Sequence, residues 1–100
     1  MDNLSNMTLE EILEKLPATI YKTKGKHTSM YFLRIGVLIG GGWYAYYKSA
    51  YSRKSFSYGD VSADNLKDCL IKCLNEINLL KEKADQNIRY SYEDIKYKHK

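Results

Sequence analysis

Residues 30–47 read Met-Tyr-Phe-Leu-Arg-Ile-Gly-Val-Leu-Ile-Gly-Gly-Gly-Trp-Tyr-Ala-Tyr-Tyr, 18 residues without Pro, Asp, Glu or Lys. As a helix rising about 1.5 Å per residue the stretch is about 27 Å long, close to the ~30 Å of hydrocarbon in a bilayer. Lys22, Lys24 and Lys26 precede it, Lys48, Arg53 and Lys54 follow it, and Tyr31, Trp43, Tyr44, Tyr46 and Tyr47 crowd its ends. That is the arrangement of an aromatic belt with basic flanks. Phe32, Leu33, Ile35, Val37, Leu38 and Ile39 each favour lipid by roughly 0.3 to 0.6 kcal/mol, against roughly 2.5 to 3.5 kcal/mol for an Arg at the helix centre. Arg34 stands only four residues inside Met30, so its side chain can snorkel to the headgroups and shed much of that cost. The balance predicts a transmembrane helix over 29–47. The competing reading is a buried helix or sheet strand of a small soluble domain, because short apolar runs are ambiguous by periodicity alone.

One hundred residues allow one small domain or several elements without a shared core. With the apolar stretch set aside, the remaining segments are too polar to form an independent globule, so the expected class is all-α: one membrane span between two extramembrane segments. The net charge of +4 is uneven. Before Met30, Lys15, Lys22, Lys24 and Lys26 balance Asp2, Glu10, Glu11 and Glu14, whereas eleven basic residues face eight acidic ones from Lys48 onward. So mild and dispersed an excess suits a membrane-adjacent segment and argues against a nucleic-acid surface. An apolar run some thirty residues in, behind an acidic helix, is unlike a cleavable signal, so Met1 is expected to stay on the mature chain. Three basic residues close to each end leave orientation undecided.

Within segment 1–28, Thr8 to Pro17 predicts an amphipathic helix over 8–16, with Thr8 as N-cap, Glu11 completing a capping box and Pro17 as the stop. Leu9, Ile12, Leu13 and Leu16 share one face. Residues 18–28 read as a basic connector containing Gly25. Within segment 48–100, residues 49–60 read as an irregular interfacial stretch, and a second helix is predicted over 63–86. There Ala63, Leu66, Leu70, Cys73, Ile77, Leu80 and Ala84 recur at three- and four-residue steps, an apolar seam that needs a partner. From Arg89 the tail shows no sustained period.

In a lipid-embedded helix Gly36 and Gly40 form a GxxxG, and Gly41, Ala45 and Ser49 continue a second small-residue row for close backbone packing. Arg34, Trp43 and Tyr44 would set depth, with Arg34 also suited to a lipid phosphate or a partner carboxylate. Leu66, Leu70, Cys73, Ile77 and Leu80 would dock on another subunit. Cys69 and Cys73, four apart, read as reduced thiols beside that seam; a metal would need further ligands, and His27 and His99 are remote. A nucleophile motif, a phosphate loop and a His–carboxylate cluster are all missing, so catalysis is not expected.

A short amphipathic helix, one basic- and aromatic-flanked span and a polar helical tail resemble the accessory subunits of mitochondrial inner-membrane respiratory complexes. The resemblance covers the layout of the whole chain without a family motif. It implies a non-catalytic, single-pass structural subunit of the inner membrane, partnered by other membrane subunits and phospholipids. It implies no cofactor, with a structural phospholipid compatible, and neither nucleic acid nor a small-molecule substrate as partner. An accessory subunit of ATP synthase is the near alternative, a small self-oligomerising membrane protein a second, and a soluble interaction module with 30–47 as its core a third.

Overall fold

In a computed structural model, which describes residues 6–49 and 55–93, the elements run α1 (Leu9–Lys15), β1 (Thr19–Lys24), β2 (His27–Val37), β3 (Trp43–Ser49), β4 (Ser55–Ala63), α2 (Leu66–Glu82) and β5 (Ile88–Ser91). The strands form one antiparallel sheet in the order β4-β3-β2-β1-β5. Four strands meander from β1 to β4, and α2 then returns the chain across the sheet to lay β5 against β1.

The expected all-α class is thereby corrected. Residues 29–47 are not a transmembrane helix but most of β2, a turn and most of β3, and among the described residues no helix is long and apolar enough to cross a membrane. Gly40, Gly41 and Gly42 decide this. All three have positive φ, at 92°, 112° and 97°, a region that other L-residues rarely adopt and that no α-helix contains. Leu38 N donates to Gly42 O at 2.9 Å and Gly41 N to Leu38 O at 3.1 Å, closing the hairpin. The β-branched and aromatic residues on either side then pair as Val37 with Trp43, Ile35 with Ala45 and Leu33 with Tyr47, the chemistry that strands favour. The expected basic connector at 18–28 is likewise β1 and the start of β2, joined by a Gly25–Lys26 turn. Residues 55–60 of the expected irregular stretch belong to β4, and Arg89 lies in β5. The tail beyond residue 93 lies outside the described residues.

Local signals place the two helices. Thr8 N donates to Glu11 Oε1 at 2.8 Å, and Glu11 N donates to Thr8 Oγ1 at 3.1 Å, the reciprocal capping box. Asn65 accepts from Asp68 N at 2.8 Å and caps α2, which is shorter than the expected 63–86 because Ala63 is the last residue of β4.

The expectation of no independent core is also corrected. Ile12, Leu16, Ile20, Ala45, Tyr47, Cys69, Leu70, Cys73, Leu74, Ile77, Leu80 and Ile88 form one buried cluster. Burying each large aliphatic side chain contributes about 1.5 to 3 kcal/mol, which is what fixes the helices on the sheet. The α2 seam of Leu66, Leu70, Cys73, Ile77 and Leu80 therefore packs within this chain and not on a second subunit. Lys81 ties α2 to the last strand, its ammonium lying 5.1 Å over the Tyr90 ring and 4.7 Å over that of Tyr92 while it donates to the Tyr92 hydroxyl.

Candidate functional site

Alternation along the strands sorts every side chain onto one of two faces. Ile20, Tyr31, Leu33, Trp43, Ala45, Tyr47, Val61, Ala63, Ile88 and Tyr90 join the core under the helices. The other face carries Tyr21 of β1, Met30, Phe32 and Arg34 of β2, Tyr44, Tyr46 and Lys48 of β3 and Arg89 of β5, none of which belongs to that core. Four aromatic rings and three cations thus share a surface that neither helix covers.

The rings are held, not loose. Gly36 lies opposite Tyr44 in register, and a Cβ added at position 36 would clash with the phenolic end of the Tyr44 side chain, its hydroxyl and the ring carbons next to it. Tyr44 is therefore laid across its neighbouring strand in the space glycine leaves, a cross-strand aromatic–glycine pair. The Tyr46 ring follows at a centroid distance of 5.6 Å, tilted by 35°. At the far side of the sheet the Arg89 guanidinium sits 4.7 Å over the Tyr21 ring, a cation–π contact between register partners. Thr19, beside Phe32 in register, is completely buried, and its Oγ1 has no hydrogen-bond partner among the described residues.

Gly36→Ala tests the Tyr44 pose. With Tyr44 in place the added methyl is expected to cost about 1 kcal/mol through overpacking. In a Tyr44→Ala background the same change should be neutral or slightly stabilising, because only glycine's backbone freedom is then removed. The sign reversal is read from a urea-unfolding double-mutant cycle.

Of the residues expected to pack in lipid, Gly36 makes room for a ring, Gly40 and Gly41 form the hairpin turn and Ala45 is buried in the core. Of the three expected to set membrane depth, Arg34 and Tyr44 share the open sheet face while Trp43 packs toward the core. Sequence reasoning missed Tyr21, Phe32, Lys48 and Arg89 as members of one surface. They are scattered over about 70 positions, and only strand pairing gathers them.

Two other places were candidates for chemistry. A cleft of about 560 Å³ between the hairpin tip and the start of α2 is lined by Leu38, Gly42, Ala63, Asn65, Asp68 and Lys72, among others. Its Lys72, Asn65 and Asp68 side chains are already engaged: Lys72 Nζ donates to Ser62 O at 3.0 Å and Asn65 Nδ2 to Asp68 Oδ2 at 2.9 Å. Cys69 and Cys73 are free and buried, and burial pushes the Cys73 thiol up to about 12, which leaves it a poor nucleophile. Among the described residues no three of His, Cys, Asp and Glu are grouped to hold a metal ion. No family model, curated protein or solved structure matches the chain.

Proposed function

We propose that the chain is a non-catalytic module that binds single-stranded nucleic acid across the open face of its sheet. The observation that carries this reading is the Tyr44 ring laid over Gly36, with Tyr46 beside it and Arg34 opposite Tyr46. A ring held flat on a sheet offers its face to a base at little ordering cost, and every base has such a face, so the contact is strong and indifferent to sequence. Arg34, Lys48 and Arg89 supply cations along the same surface, against the carboxylate of Asp60 on the neighbouring edge strand, and phosphate neutralisation gives most of the affinity in such sites. The chain's mild net charge of +4 argued against such a partner when taken along the sequence; what supports it is the gathering of Arg34, Lys48 and Arg89 on one face by strand pairing.

The membrane-complex readings drew on residues 29–47 as a helix in lipid. With those residues in β2, a turn and β3 they lose the element that anchored them and are not carried forward.

Fluorescence anisotropy of labelled oligo-dT and oligo-U against a duplex of equal length tests the proposal. Single strands are expected to bind more tightly than the duplex. With three phosphates neutralised, log K should fall with log salt at a slope of about 2, following roughly 0.7 per phosphate for single strands. Equal binding of duplex and single strand, or no binding at low salt, would overturn the proposal.

A further inference from the structure

Resting on that reading, we infer that the open face holds its ligand in a fixed register: one nucleotide per cross-strand row, four in all. The pairings align four successive rows: Tyr44 opposite Gly36, Tyr46 opposite Arg34, Lys48 opposite Phe32, and Met30 opposite Tyr21, itself opposite Arg89. Each row contains one aromatic ring among the described side chains. Three of them also contain one cation, Arg34, Lys48 and Arg89 in turn. The rings step from β3 through β2 to β1, so the platforms cross the sheet on a diagonal.

Spacing is the physical reason this matters. Rows on one face are about 6.8 Å apart along the strands and neighbouring strands about 4.8 Å apart, which puts consecutive platforms about 7 to 8 Å from each other. The Tyr44 and Tyr46 centroids, 5.6 Å apart, are drawn closer by their mutual tilt. A stacked strand advances 3.4 Å per nucleotide, and pulling it out so that each base meets its own ring takes about twice that. The platforms therefore match a stretched, unstacked strand and miss a duplex, whose base faces are hidden. In the fourth row the base meets the guanidinium–ring pair of Arg89 and Tyr21, since a guanidinium plane stacks on bases as a ring does. A footprint of four lies at the lower end of the roughly 4 to 16 nucleotides known for compact single-strand sites.

An anisotropy series with fluorescein-labelled oligo-dT of two to eight nucleotides, in 50 mM salt, reads the register directly. Affinity is expected to climb with each nucleotide up to four and then to rise only by the statistical factor of extra positions. Tyr21→Leu keeps the apolar body of the residue while removing the stacking face. It should move the plateau from four to three and weaken the tetranucleotide about 5- to 150-fold, leaving the trinucleotide unchanged. Arg89→Gln repeats the test at an exposed residue where folding is not at stake. A plateau at another length, or a plateau still at four in both variants, overturns the register while binding itself stands. Failure of every length to bind overturns the register and the preceding proposal together.

Discussion

Tyr47→Ala is expected to lower the unfolding free energy by about 3 to 5 kcal/mol, a large part of the roughly 5 to 15 kcal/mol that holds a domain of this kind folded. Tyr47 is completely buried, at the middle of the central hairpin, and its ring fills the space between Leu33 on the neighbouring strand and the α2 seam. Its hydroxyl donates to the Pro17 carbonyl at 2.7 Å, across 30 positions of sequence. Proline ends α1 and the carbonyl points inward at the junction with β1, where it needs a partner. Tyr47→Phe keeps the ring and removes only that bond, so it should cost about 1 to 3 kcal/mol for the acceptor left unpaired. Urea unfolding followed by circular dichroism separates the two. Equal stability of Tyr47→Phe and the parent would show that the bond contributes nothing.

Stability should also collapse on the alkaline side. Burial, with smaller contributions from Cys69 and Glu76, pushes the Cys73 thiol from an ordinary value near 9 up to about 12, and burial raises the Tyr47 hydroxyl further still from 10. Below pH 9 both groups are protonated in the folded and unfolded chain, and neither makes stability depend on pH. Above it the unfolded chain releases a proton that the folded chain retains, so stability falls with rising pH. One such group removes about 1.4 kcal/mol per pH unit, or about 4 kcal/mol between pH 9 and 12 for Cys73. Tyr47 adds the same slope from about pH 10. Cooperative unfolding between pH 10 and 12 is the expected result, measured as unfolding free energy against pH. Cys73→Ala should make the curve less steep between pH 9 and 10, where burial also raises the Cys69 thiol and keeps part of the slope; an unchanged slope in that variant would refute the assignment.

The helices were legible in the sequence because their signals are local. Thr8 and Glu11 bond to each other's backbone within one turn, and the apolar seam from Leu66 to Leu80 repeats every three or four residues in plain view. The sheet was not legible, for a reason that is also functional. A strand with one wet face shows alternation, but here the outward positions Phe32, Tyr44 and Tyr46 are as apolar as the inward Leu33, Ala45 and Tyr47, so β2 and β3 read as one continuous apolar run. Two β-branched or aromatic runs separated by Gly40–Gly42 were the signal of a hairpin, overridden by the length of the run and its basic flanks. The surface suffered similarly. Lys48 and Arg89 looked like dispersed charge along a line, and no one-dimensional reading places Arg89 over Tyr21.

Pairing of the first strand with the last has a temporal consequence. Thr19 faces Ser91, about 70 positions downstream, so that seam closes only after residues 88–91 have left the ribosome, and closing so long a loop slows folding relative to a helical bundle of equal size. Until Ile88 emerges, the nascent chain holds a vacant slot along β1, open to the same four-residue segment of any completed neighbour. Synthesis rate and local crowding on a polysome would then govern how often two molecules trade their β5 strands.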